Sequence, residues 1–356
     1  MSKTIAIVTP TKVTPAWLTQ ALRLNSIDAT VSGIKIETVG TGQLGETRRF
    51  ILEYHGAVPD NAPATLVGKF PSDSEVARQS GRDLGFYRSE VMFYREAAHR
   101  AVIKTPRKYV AEIDDQGDFV LLLEDMAPAK PGDQIAGCSL EDARLALAEA
   151  AKLHGAFWND TELMSQDWLY VPEGAQGFYT TELMESSWLH FDKTYRHRFE
   201  PQVMDVCEKF VKSHGAWNAP RDMPKTYSHC DFRPDNMLFG GERVAVVDWQ
   251  TSNFLGSGMD VAYFLGGVFD RATRQAHEDE LLHFYHDELI RNGVSGYSFD
   301  HLVADYRHYS FAVLAVIICA TVIVKQTERG DRMFMQMING GAHQAIDNDA
   351  LDSLST

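Results

Sequence analysis

His229, Asp231, Asn236 and Asp248 have the types and the spacing that group-transfer chemistry needs. They lie in Ser228-His-Cys-Asp-Phe-Arg-Pro-Asp-Asn236, followed by Met237-Leu-Phe, a Gly240-Gly241 turn, and the apolar run Val244-Ala-Val-Val that leads into Asp248-Trp249-Gln250. The order is H-x-D-x-x-x-x-N, a hairpin, and an apolar strand closed by an aspartate. A short loop carries a base and one oxygen ligand, and the returning strand brings a second ligand to the same point. In phosphoryl transfer Asp231 would accept the proton of an attacking hydroxyl, while Asn236 and Asp248 would hold magnesium against the phosphates. Such oxygen donors suit magnesium rather than zinc. The H-x-D-x-x-x-x-N spacing alone also arises in ordinary polar turns, and it gains weight from the hairpin and the strand-terminal aspartate behind it.

The elements that must position these residues precede them. Thr14 before Pro15 predicts a short helix over residues 15–24, with a capping side chain and a proline in the first turn. From Ser32 the pattern becomes alternating: Ile34, Ile36 and Thr38 run into Gly40-Thr-Gly42-Gln-Leu-Gly45, Arg48 to Tyr54 follows, and Leu66 to Phe70 is a third strand. A dinucleotide fingerprint needs its glycines to open a helix. Here a strand follows, so Gly40, Gly42 and Gly45 read as a hairpin over phosphates with Lys69 on the next strand, or as a glycine hairpin with no ligand. A helix over residues 82–100 carries Glu90, with Glu96 the alternative, to pair with Lys69. Strands over 108–113 and 118–123 complete a sheet of five. The backbone from Glu124 to Met126 then offers a hinge to the edge of a nucleotide base.

Beyond Gly137 the pattern is helical. Helices are predicted from Ser139 to Trp158, over 181–190 and 201–214, from the Gly256-Ser-Gly stretch with Asp260 in the first turn, and over 271–291, 299–325 and 332–349. His154, on the apolar face of its helix, reads as a satisfied core histidine.

Composition bounds the function. The chain has 356 residues, enough for two lobes, and a formal net charge of −15, which argues against a nucleic-acid partner. Cys138, Cys207, Cys230 and Cys319 lack metal-ligand spacing and read as free thiols. The run Phe311 to Val324 is shorter than a membrane span needs and reads as a buried helix, so no membrane partner is expected. Nothing at the amino terminus has the form of a signal peptide, and the expected location is cytoplasmic.

Taken together, the glycine loop, Lys69, Glu90, Leu121-Leu-Leu-Glu-Asp125, His229-x-Asp231-x-x-x-x-Asn236, Asp248-Trp-Gln and Asp260-Val-Ala-Tyr-Phe-Leu265 resemble the aminoglycoside phosphotransferase and choline kinase superfamily. The likeness is closest to its ecdysteroid-kinase-like branch and related bacterial phosphotransferases, and runs from about residue 34 to 265. The resemblance implies an α+β, protein-kinase-like bilobal fold. Residues 1–125 would form an N-lobe of antiparallel sheet with helix, and residues 126–356 a mainly helical C-lobe. It also implies ATP and Mg2+, with Gly40, Gly42, Gly45, Lys69, Glu90, Glu124 and Met126 on the nucleotide, Asp231 as base, and Asn236 and Asp248 on the metal. Asp260 would steady the catalytic loop through its backbone. Cys230 stands where the family commonly has glycine, and Arg233-Pro234 is nearer the bacterial relatives than the insect enzymes.

The passage from Asp248 to Asp260 is too short for the segment on which a protein kinase docks a peptide. A small hydroxylated molecule is therefore the expected acceptor. The aromatic residues from Trp158 to Tyr195 suggest an apolar one, such as a steroid, polyketide or hydroxyacyl compound, or else plain core packing. The acidic balance of the chain suggests an amino alcohol of the aminoglycoside or choline type instead. A kinase-fold protein that binds nucleotide without catalysis is the third reading.

Overall fold

The computed structural model describes residues 5–40, 44–169 and 179–354. The chain divides into two compact units. The first comprises residues 1–99, 105–128 and 248–250, and the second the remainder.

The first unit opens with α1 (Pro15–Leu24), started as its sequence dictates: Thr14 accepts the Trp17 N–H at 3.2 Å, and Pro15 occupies the first turn. The sheet follows as β1 (Thr30–Thr38), β2 (Gly45–His55) and β3 (Thr65–Pro71). Next come α2 (Glu75–Asp83), α3 (Phe86–Met92), β4 (Lys108–Ile113) and β5 (Phe119–Glu124). The sheet is antiparallel in the order β1-β2-β3-β5-β4. Leu18, Ala21 and Leu22 of α1 are buried in one cluster with Phe50, Leu66 and Leu122 of the sheet. The single helix expected over residues 82–100 is instead broken. It begins earlier, as α2, and stops at Gly85, whose φ of +71° a chiral residue rarely adopts. It resumes as α3 and ends in a wide turn over Phe93–Ala97.

The second unit is mainly helical. It contains β6 (Lys130–Pro131), α4 (Leu140–Ala156), α5 (Thr161–Met164), α6 (Thr181–Tyr195) and α7 (Pro201–Trp217). The short strands β7 (Thr226–Ser228), β8 (Met237–Phe239), β9 (Ala245–Val246) and β10 (Asn253–Leu255) follow. The chain continues with α8 (Gly258–Val268), α9 (Arg271–Arg291), α10 (Phe299–Tyr309), α11 (Ala312–Ile323) and α12 (Glu328–Asp347). Strand β8 pairs with β6 and β9, and β7 pairs with β10. The helix expected over 299–325 is two helices. The Ser310 hydroxyl bonds the Tyr306 carbonyl at 3.1 Å and its N–H turns to Arg307, which tightens the chain between α10 and α11. The apolar run at residues 311–324 forms α11, whose residues from Ala312 to Cys319 are buried.

Candidate active site

In the first unit, β3 presents Lys69 and α3 presents Glu90. The Lys69 ammonium lies 2.6 Å from Glu90 Oε2 and 2.8 Å from Asp248 Oδ1, so one cation holds two carboxylates. Burial works against the lysine's charge, but Asp248 and Glu90 outweigh it and keep Lys69 protonated well above the ordinary lysine range. For Glu90, almost fully buried, burial pushes the carboxyl upward against the pull of Lys69. Asp248 is fixed in the left-handed region, at φ +70°. The next residue, Trp249, stacks on Phe93 with ring centroids 3.8 Å apart, and its carbonyl accepts from Ser89. The region that carries Glu90 therefore also seats the residues after Asp248.

Gly40, at φ +74°, closes β1, and the hairpin to β2 pairs Thr38 with Arg48. Gly45 starts β2, and Gly42 lies outside the described residues. Tyr87 of α3, one helical turn before Glu90, donates its hydroxyl to the Leu44 carbonyl, so α3 also tethers the hairpin. At the hinge, the Glu124 N–H donates to the Arg107 carbonyl at 2.8 Å and is not available to a ligand. Met126 follows without a backbone hydrogen bond among the described residues. Arg49 of β2 grips Asp125 with two hydrogen bonds, of 2.6 and 3.1 Å, and fixes the chain between them.

In the second unit, the loop after β7 carries Asp231. Asp231 Oδ1 accepts from the Tyr263 hydroxyl at 2.8 Å, Oδ2 accepts from Asn236 Nδ2 at 2.7 Å, and Arg233 Nε lies 3.0 and 3.1 Å from the two oxygens. Asn236 Nδ2 also donates to the Asp231 carbonyl, so the amide is oriented with its nitrogen inward and its oxygen left as a donor atom for a cation. Burial and the neighbouring Asp231 push the Tyr263 hydroxyl well up, which keeps it a donor.

The loop hangs on Asp260 of α8. Its carboxylate accepts the N–H groups of His229 at 2.7 Å and Cys230 at 2.8 Å, and takes His154 Nε2 at 3.1 Å. Burial would raise this carboxyl, but His154 and the loop N–H groups hold it below the usual range. His154 is completed by the Tyr285 hydroxyl at 2.6 Å. Cys230 has φ +63°, a region that glycine enters more freely than a residue with a side chain, and burial followed by Asp260 pushes its thiol well up. Val247, the residue before Asp248, donates to the Asn236 carbonyl at 3.0 Å and accepts from His229 Nε2 at 3.0 Å.

Beside the loop lies a cavity of about 40 Å³ lined by Tyr179, Trp217, Cys230, Thr251, Met259 and Tyr309, among others. None of the lining residues is acidic or basic. Two contacts of Asp231 escaped the sequence reading. Tyr263 lies three residues after Asp260 on α8, on the same helical face, and that spacing was the available signal. Arg233 was visible in the motif, but its grip on Asp231 was not.

Among the described residues no group of three or more His, Cys, Asp or Glu side chains is arranged to hold a metal. Asn236 and Asp248 are two oxygen donors. Magnesium commonly takes one or two protein oxygens and completes its shell with phosphate and water, so each of them, Asn236 in the second unit and Asp248 in the first, is a donor of the kind it uses.

An antiparallel five-stranded sheet with a buried lysine–glutamate pair, and a helical unit with an H-x-D-x-x-x-x-N loop hung on a helix-borne aspartate, define a small-molecule kinase of protein-kinase-like fold. The chain belongs to the ecdysteroid kinase-like family, whose model matches residues 47–293. No curated protein matches it in sequence. In fold it is similar to a Ralstonia eutropha protein described as an aminoglycoside phosphotransferase, at 15% identity over 93% of this chain and 97% of that one, with a TM-score of 0.52. The Plasmodium vivax ethanolamine kinase shares 10% identity over 96% and 84% of the two chains, with a TM-score of 0.53. The GDP complex of aminoglycoside 2'-phosphotransferase-IIIa shares 10% identity over 94% and 100%, also with a TM-score of 0.53.

Proposed function

We propose that the chain transfers the γ-phosphoryl group of ATP to a hydroxyl of a small, largely apolar molecule. The observation that carries this reading is the Asp231 carboxylate, pinned by Tyr263 and Asn236 in a loop whose Cys230 lines an uncharged cavity of aromatic, amide and aliphatic side chains. Asp231 takes the proton of the acceptor hydroxyl as the oxygen–phosphorus bond forms. The bond from the γ-phosphorus to the bridging oxygen breaks, and ADP leaves with that electron pair. Lys69, held by Glu90, supplies a fixed positive charge for the phosphates. Asn236 and Asp248 would hold magnesium, which supplies charge neutralisation on the phosphates when bound.

The ethanolamine and aminoglycoside acceptors named for the structural neighbours are cations and call for carboxylates around them. The lining of this cavity has none, which favours an acceptor without a cationic group over an amino alcohol. The reading as a catalytically silent protein is disfavoured because Lys69, Glu90, Asp231, Asn236 and Asp248 are all present. The test is magnesium-dependent ADP release with and without a panel of hydroxylated compounds. Stimulation by apolar alcohols is expected, and a panel that leaves ADP release unchanged overturns the reading.

A further inference from the structure

The Asp231 carboxylate has room for about four hydrogen bonds. Tyr263 and Asn236 take one each, at 2.8 and 2.7 Å, and Arg233 Nε shares its single hydrogen between both oxygens at 3.0 and 3.1 Å. The last contact is long for a charge-assisted bond and divided, so it is the one an incoming hydroxyl displaces at least cost. The rest of the guanidinium is anchored independently. Its Nη1 donates to Asp235 at 2.8 Å and touches the Met333 sulfur at 3.5 Å. Asp235 is also matched by Arg329, which reaches Asp133 as well. Among the described residues nothing accepts from Nη2 of Arg233. The side chain is about one-fifth exposed, and Nη2 lies on the same edge of the guanidinium as the Nε that faces Asp231.

We propose that Arg233 is a specificity-determining residue that reads the acceptor: the molecule phosphorylated carries a carbonyl or carboxylate oxygen next to its reacting hydroxyl. The hydroxyl takes the place of Arg233 on Asp231, and the guanidinium turns its Nε and Nη2 to the second oxygen. The inference rests on the kinase reading above. The same arrangement turns cations away. The nearby carboxylates Asp231, Asp235 and Asp133 are already matched by Arg233 and Arg329, and an ammonium group about 4 Å from a guanidinium is disfavoured roughly a hundredfold to a thousandfold in a partly buried site.

The test uses four alcohols that share a phenyl body: mandelate, methyl mandelate, 1-phenylpropanol and 2-amino-1-phenylethanol. The readout is kcat/KM for ADP release with the full chain and magnesium. Wild type is expected to prefer the acid and the ester over 1-phenylpropanol by roughly tenfold or more, the worth of a hydrogen bond to a charged group, and to turn over the amine least. In Arg233→Gln that preference collapses toward one, and in Arg233→Lys, which keeps the charge without the fork, it is partly retained. A purely structural role for Arg233 lowers all four alike and leaves the ratios unchanged. Unchanged ratios, or a wild type that accepts the amine as well as the acid, overturn the assignment while leaving the kinase reading standing. Turnover stimulated by no hydroxyl compound at all removes both.

Discussion

Cys230, with its backbone in the left-handed region at φ +63°, donates its N–H to Asp260 Oδ1 at 2.8 Å. A strained residue and a buried carboxylate thus fix the start of the loop that presents Asp231. A side chain at positive φ costs about 1 kcal/mol or more, which the buried thiol offsets by filling its site. Cys230→Gly is therefore expected to change the unfolding free energy by less than about 1 kcal/mol and to leave turnover near wild type. Cys230→Val, β-branched at the same φ, is expected to lose about 2 kcal/mol or more in denaturant titration.

Asp260 itself should tolerate nothing. Asp260→Asn keeps the shape but sets an amide nitrogen against one of the two loop N–H groups and leaves His154 without its carboxylate. A loss of about 3 kcal/mol is expected, together with loss of turnover. A variant of wild-type stability would show that the loop does not hang on this residue.

Lys69→Met leaves Glu90 and Asp248 facing each other without their shared cation. Turnover is expected to fall by about a hundredfold or more, while the ATP dissociation constant rises by less than about tenfold. Equilibrium binding and steady-state rates on the same preparation separate the two.

Acid should unfold the second unit through its buried histidines. Burial lowers His214 to about 4 and His308 to about 3, so both are neutral in the fold and take up protons when it opens. Their folded values lie below the unfolded value near 6.5. Their contribution is complete above that pH and is lost as pH falls toward 4 and then 3, by about 1 kcal/mol per pH unit each. The unfolding midpoint measured from pH 7 to 5 should drop, and His308→Leu should flatten the drop.

Much of this was legible in the chain because it is local. Helix α1 and the strands follow from caps and alternation, and the order of Lys69, Glu90, Asp231, Asn236 and Asp248 is what the phosphotransfer reading rests on. The break at Gly85 was missed because apolar spacing continues across it, although the glycine, at φ +71°, is itself the stop signal. The divide at Ser310 was hidden by an uninterrupted apolar run. The contacts of Arg233 and Tyr263 with Asp231 depend on how a loop folds against α8, which spacing within either segment does not encode. Spacing offers the backbone from Glu124 to Met126 as a hinge, but the bond of the Glu124 N–H to Arg107 is a pairing between residues 17 apart that it does not encode.

The account stands on Asp231 as the base. In Asp231→Asn the amide keeps the size of the side chain and cannot accept the proton. The decisive measurement is the rate of phosphoryl transfer by this variant to an acceptor that wild type uses, with ATP affinity measured alongside. The account predicts a fall of about a hundredfold to ten-thousandfold with ATP affinity retained. Transfer at the wild-type rate would contradict it.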